Sequence, residues 1–110
     1  MAFTMNLYYT GTGGSARAFA EEMESSGTAG RIRAAEGNLR YQYFISLDDP
    51  ETVLLVDSWA DQEALDRHHA SPAMETIMAL REKHDLHMTA ERYVSDTAEN
   101  EARDDRFLRK

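Results

Sequence analysis

Six side chains near the middle of the chain hold most of its capacity for chemistry: Tyr41, Tyr43, Asp57, Trp59, His68 and His69. An imidazole titrates near neutrality, so a histidine here can serve as a general base without extreme tuning. Asp57 stands on an otherwise apolar stretch and needs a donor or an opposite charge; it either orients a histidine or answers Arg40 across a hairpin. Trp59 is the only tryptophan and precedes His68 by nine residues. A chain that turns back across a sheet edge brings that indole and an imidazole above one cavity, although Trp59 reads equally well as plain core. Neighbours on a helix point about 100° apart, so at most one of His68 and His69 faces a shared pocket. The other is solvated or caps the end of its helix, where a cation suits the dipole.

Other chemistries find less support. His84 and His87 are three apart, but one closes a helix and the other opens a strand, and no pair of ligands shares a helical face. The run Gly11-Thr12-Gly13-Gly14-Ser15 lacks both the GxGxxG spacing and the Lys-Ser/Thr pair of a phosphate loop, and reads as a turn. With no cysteine among 110 residues, disulfides, thiolate metal sites and cysteine nucleophiles are excluded. Twelve basic against 20 acidic residues give a net charge of -8, which argues against nucleic acid. No apolar run reaches the ~20 residues of a membrane helix, so a soluble, cytoplasmic domain without membrane partners is the expectation.

The elements that must position these groups follow from periodicity. Phe3, Met5, Leu7 and Tyr9 alternate with Thr4, Asn6, Tyr8 and Thr10 as in a half-buried strand. Asn6 is thus either solvated or a polar group inside a pocket. After the glycine turn, Ser15 can cap a helix carrying Phe19, Ala20 and Met23. Gly27 and Gly30 predict a break before Arg31 to Ala35 resumes it, and Gly37 a C-terminal cap. Leu39 to Leu47 reads as a strand with Leu39, Tyr41, Tyr43, Ile45 and Leu47 on one face. Asp48-Asp49-Pro50 turns it into a returning strand, Thr52 to Trp59. Asp61 starts a short helix through His69, Ser71-Pro72 a second one with Met74, Ile77, Met78 and Leu80, and His87 to Val94 is the last strand.

That order fits an α+β sandwich with helices on one face of a four-stranded antiparallel sheet. Phe44, Leu54 and Val56 then fall on the opposite face, where a second subunit would cover them, giving a homodimer built sheet against sheet. Residues 1–94 form this domain. Residues 95–110 form a charged tail, or an arm that docks Phe107 and Leu108 on the partner.

Glu36-Gly37-Asn38-Leu39-Arg40-Tyr41, Asp49-Pro50, Asp57-Ser58-Trp59, Ala64-Leu65-Asp66-Arg67-His68 and Ser71-Pro72 resemble the antibiotic biosynthesis monooxygenase domain, which includes quinol monooxygenases. The resemblance runs from Phe3 to Tyr93. It implies a ferredoxin-like dimeric α+β barrel that oxidises a small quinol or polyphenol with molecular oxygen and no cofactor. By this resemblance His68 is the base, Trp59 and Tyr41 are pocket residues and Asn38 is a further substrate contact. From residue type and strand position, Asp57 is added to these as a second catalytic group, and Asn6 and Tyr43 as substrate-binding residues. The chain departs from the pattern at Asp57, where relatives often have Glu, and at Ala73, where many carry a second histidine. Haem-degrading relatives use an axial histidine where Met78 stands, so haem oxygenation is not implied. A cofactor-free isomerase of a small signalling molecule, or a binding dimer without turnover, are the alternatives.

Overall fold

The computed structural model describes residues 1–110. Strand β1 (Phe3–Thr10) leads through the glycine turn to helices α1 (Ser15–Ser25) and α2 (Thr28–Arg33). The hairpin β2 (Asn38–Ile45) and β3 (Thr52–Trp59) follows, then α3 (Gln62–His69), α4 (Pro72–Lys83) and β4 (His87–Val94). A short helix, α5 (Ala98–Ala102), and a 3₁₀ turn (Asp105–Phe107) end the chain. The sheet is wholly antiparallel in the order β2-β3-β1-β4. This is the α+β ferredoxin-like arrangement expected from the element order.

Several local starts and stops differ from the expectation. Ser15 is the first helical residue; its hydroxyl accepts the Thr12 backbone N–H at 3.0 Å and so closes the glycine turn. The break between α1 and α2 falls at Ser26-Gly27, with Gly27 at φ 81°, and Gly30 lies within α2. Helix α2 ends at Arg33, so Gly37 caps nothing. Instead it takes φ 85° directly beneath α3, where a Cβ would stand 2.5 Å from that of Ala64. Only glycine satisfies both demands. Asp61 accepts the Ala64 N–H at 2.8 Å and caps α3 as read. The Ser71 hydroxyl donates backward to the His68 carbonyl at 2.6 Å and leaves the start of α4 to Pro72.

One register fact matters for the site. Asn38 pairs with Trp59 but Arg40 pairs with Ser58, so Leu39 is an extra residue in a β-bulge. The bulge turns Leu39 out to solvent, correcting its assignment to the Tyr41 face; Ile45 is half-exposed and Leu47 lies beyond the strand, fully exposed. Beyond the bulge, Tyr41 and Tyr43 face the helices, whereas Arg40, Gln42 and Phe44 face away.

The core lies between the helices and one sheet face. Phe19 and Met23 of α1, Ile32 of α2, Leu65 of α3 and Ile77 of α4 pack on Phe3, Tyr9, Leu55 and Trp59. The Tyr9 and Phe19 rings sit 4.9 Å apart. Met78 points outward, so α4 offers a narrower apolar stripe than its sequence implied. On the other sheet face Tyr8, Phe44, Leu54 and Val56 lie among Thr4, Asn6 and Gln42, without a helix over them. Residues 95–110 are exposed throughout, with Phe107 and Leu108 uncovered; the Ser95 N–H, donated to the Ala2 carbonyl, holds the tail's root. No helix is long and apolar enough to cross a membrane.

Candidate active site

Between sheet and helices, near the C-terminal end of α3, lies a cavity of about 210 Å³. Its walls are largely apolar (Met5, Leu7, Leu55, Met74, Ile77), and its polar groups are Tyr9, Tyr41, Asp57, His68, His69 and Arg81. Larger open grooves run elsewhere on the surface, one between α1 and the end of β2. This smaller, more sheltered space is lined by Tyr9, Tyr41, Asp57 and His68, whose titrations burial displaces.

Trp59 ends β3 fully buried, and its indole stacks on the His68 ring at 5.0 Å between centroids, the planes 25° apart. The indole forms the back support of the imidazole and is not itself part of the cavity wall. His68 is buried at 7% exposure, held from behind by Trp59 while its helix end is fixed by the Ser71 contact to its carbonyl. Burial, and secondarily the neighbouring His69, push its pKa below the ordinary imidazole value. His69 is exposed yet also lines the cavity, its ring 5.8 Å from that of His68. The expectation that only one of the pair would reach the pocket is thus corrected. Helix α3 stops at His69, so the cavity faces the helix end, where both side chains can converge.

Asp57 pairs across the hairpin with Tyr41 and across β1 with Met5. Arg40 is turned to the other face, where it bonds the Gln42 amide oxygen, so it does not answer Asp57. Burial drives the Asp57 carboxyl up to about 7, opposed only by the nearby indole N–H of Trp59. That proximity falls short of full hydrogen-bond geometry: Asp57 Oδ1 and Trp59 Nε1 are both buried without a partner. A carboxyl in this setting holds a proton at neutrality that its solvated counterpart loses.

The tyrosines form a graded set. Tyr41 lines the cavity and meets the Tyr43 hydroxyl at 3.3 Å, and burial pushes both phenols well up. Tyr43 itself faces the groove beside α1. Tyr9 is pushed up to about 12, chiefly by burial, with Arg81 pulling the other way. Neither asparagine reaches the cavity. Asn6 pairs with Val56 and Glu91 on the helix-free face, and Asn38 donates to the Ser58 and Arg40 carbonyls beside the bulge. Arg81 escaped the sequence reading because its position on α4 resembles a solvated surface residue; its inward reach depends on how α4 crosses β4. No three His, Asp or Glu side chains converge as metal ligands would.

The arrangement brings a histidine whose burial disfavours the cation and a carboxyl pushed up to about 7 into one small, largely apolar space. The chain matches the antibiotic biosynthesis monooxygenase family model over residues 2–80. It is similar in fold to a conserved protein from Methanosarcina mazei Go1, at 20% identity over 87% of this chain and 94% of that one, with a TM-score of 0.75. PA3566 from Pseudomonas aeruginosa is similar at 20% identity, covering 87% and 95%, TM-score 0.74. SnoaB from Streptomyces nogalater, a cofactor-independent oxygenase, is similar at 17% identity, covering 88% and 95%, TM-score 0.70. No curated protein matches the chain. The family match spans well over half of the 110 residues, and this chain belongs to the antibiotic biosynthesis monooxygenase family.

Proposed function

We propose that the protein is a monooxygenase that oxidises a small phenol or quinol with molecular oxygen, using its own substrate's anion as the reductant. The observation carrying this reading is that His68 and Asp57 line one cavity with titrations displaced in opposite directions. Environments that push two groups apart in this way assign the acid and the base. Neutral His68 takes the phenolic proton, and the electron-rich anion passes an electron to oxygen. Recombination forms a carbon–oxygen bond, and a proton from Asp57 assists O–O cleavage. For a hydroquinone, the products are a hydroxyquinone and one water; one oxygen atom enters the ring and the other leaves as water. Apolar walls keep bulk water from the anion. Trp59 positions His68, and Tyr41 stands against the ring; Tyr43 acts through Tyr41. The name given to SnoaB supports a reaction without a cofactor.

Oxygen uptake with hydroquinones and naphthols tests this reading. His68→Ala is expected to lower the rate by about 10²- to 10⁴-fold, the usual span for losing a general base; an unchanged rate removes His68 from the mechanism. The same acid–base pair could move a proton within a substrate, as an isomerase does. Product formed under nitrogen as readily as in air would favour that reading.

A homodimer belongs to the same proposal, with residues 1–94 as the domain and residues 95–110 as an arm. The helix-free sheet face and the uncovered Phe107 and Leu108 support it.

A further inference from the structure

Arg81 stands at the rim of the cavity: it lines both that space and a surface groove beside α4. No carboxylate pairs with it, although the chain has 20 acids to 12 basic residues. Its side chain donates only to the Met88 thioether, a weak acceptor for one of five guanidinium N–H groups. A guanidinium left unpaired beside an apolar cavity, in so acidic a protein, is arranged to meet an anion from outside the chain.

The register of β1 places that anion relative to the chemistry. Met88, the partner of Arg81, pairs with Tyr9, whereas Asp57 pairs with Met5. Four residues of strand separate the two levels, roughly 13 Å at ~3.3 Å per residue. Between them Leu7 and Leu55, which pair with each other, offer an apolar strip. The volume of about 210 Å³ limits what can lie on that strip. It exceeds the ~150 Å³ that holds one benzene ring, and falls below the ~300 Å³ at which drug-sized ligand sites begin. One substituted ring fits.

We infer that the substrate is a single-ring phenol carrying a carboxylate across the ring from its reacting hydroxyl, the carboxylate read by Arg81 at the rim. This rests on the proposed function for the direction of the hydroxyl, toward His68 and Asp57. Arg81 is then a specificity-determining residue.

Binding measured under nitrogen separates this from turnover. The probes are 3,4-dihydroxyphenylacetate, its methyl ester and 4-ethylcatechol, with calorimetry and Trp59 fluorescence as readouts on the full chain. The acid is expected to bind at least about tenfold more tightly than its ester, a difference of ~1.4 kcal/mol. Arg81→Gln should erase that preference while Arg81→Lys keeps part of it, and both should leave affinity for 4-ethylcatechol unchanged. Equal binding of acid and ester by the unaltered protein, no binding of the acid, or a preference that survives in Arg81→Gln overturns the inference. Oxygen uptake by the same compounds reports on the monooxygenase reading alone, so the two can fail independently.

Discussion

The Trp59 indole lies almost flat on the His68 imidazole, centroids 5.0 Å apart, and both rings are buried. The stack joins the end of β3 to the end of α3 and fixes the ring that borders the cavity. It also makes the only tryptophan a reporter of one histidine's charge.

Protonated imidazole withdraws electron density from an indole stacked on it, so Trp59 emission should fall as His68 gains a proton. The midpoint is expected on the acid side of the ordinary imidazole value, because burial disfavours the cation. A fluorescence titration from pH 4 to 8 in Asp57→Asn, which removes the transition of the carboxyl beside the indole, checks it; the change should vanish when His68→Gln is added. A midpoint above about 6.5, the unperturbed value, would contradict the burial argument.

Asp57 carries a stability signature of the opposite sign. Its folded pKa of about 7 lies above the unfolded value of 3.8, so the folded state holds the extra proton between them. Stability from this group is complete below the unfolded value and is lost as pH rises through about 7. Asp57→Asn should therefore gain on the unaltered protein between pH 5 and 8, by at most about 3 kcal/mol, from the roughly two units between pH 5 and about 7. Urea unfolding at the two pH values measures this, and identical differences at both would refute it.

The proposed mechanism requires neutral His68 and protonated Asp57 together. The rate should rise as His68 loses its proton, below the ordinary imidazole range, and decline above about 7 as Asp57 ionises. Initial oxygen uptake from pH 5 to 9 gives the profile. A rate still climbing at pH 9 would take the acid role from Asp57.

Gly37→Ala meets two obstacles at once: φ of 85° and an Ala64 Cβ 2.5 Å from the new methyl. A left-handed residue alone costs about 1–2 kcal/mol, and the clash against α3 adds to it. Thermal unfolding should show a loss above 2 kcal/mol for Gly37→Ala, compared with less than about 0.5 kcal/mol for an exposed control such as Glu36→Ala.

The sheet-to-sheet dimer predicts a mass near twice 12.5 kDa at micromolar concentration. Leu54→Glu, which puts a charge at the centre of the helix-free face, should shift it to the monomer. A monomeric unaltered protein in sedimentation would overturn the proposal.

The legible part of this molecule was periodic. Alternation in Phe3–Thr10 and along Leu39–Leu47, the Asp48-Asp49-Pro50 turn, and the Asp61 and Ser71-Pro72 starts placed the first three strands and the α3–α4 pair near their observed bounds. The Trp59–His68 encounter was legible too, since a strand end and the following helix must meet. What escaped depended on single-residue register. The extra residue at Leu39 took that side chain off the Tyr41 face, while Arg40 alternates with Tyr41, the cross-strand partner of Asp57, and so falls on the opposite face. Arg81 was invisible for another reason. Whether an arginine on a helix reaches inward is decided by helix crossing, which no local pattern encodes.

The bulge at Leu39 has an effect away from the active site. β2 is an outer strand of the sheet, and a regular outer strand is a template on which foreign chains can continue the hydrogen-bond ladder. Here the ladder's free side is broken by the extra residue, and the Tyr41 carbonyl is occupied by Arg33 Nε at 2.7 Å. Both features make this margin a poorer template for strand addition, and Arg33→Ala is expected to free the Tyr41 carbonyl for it.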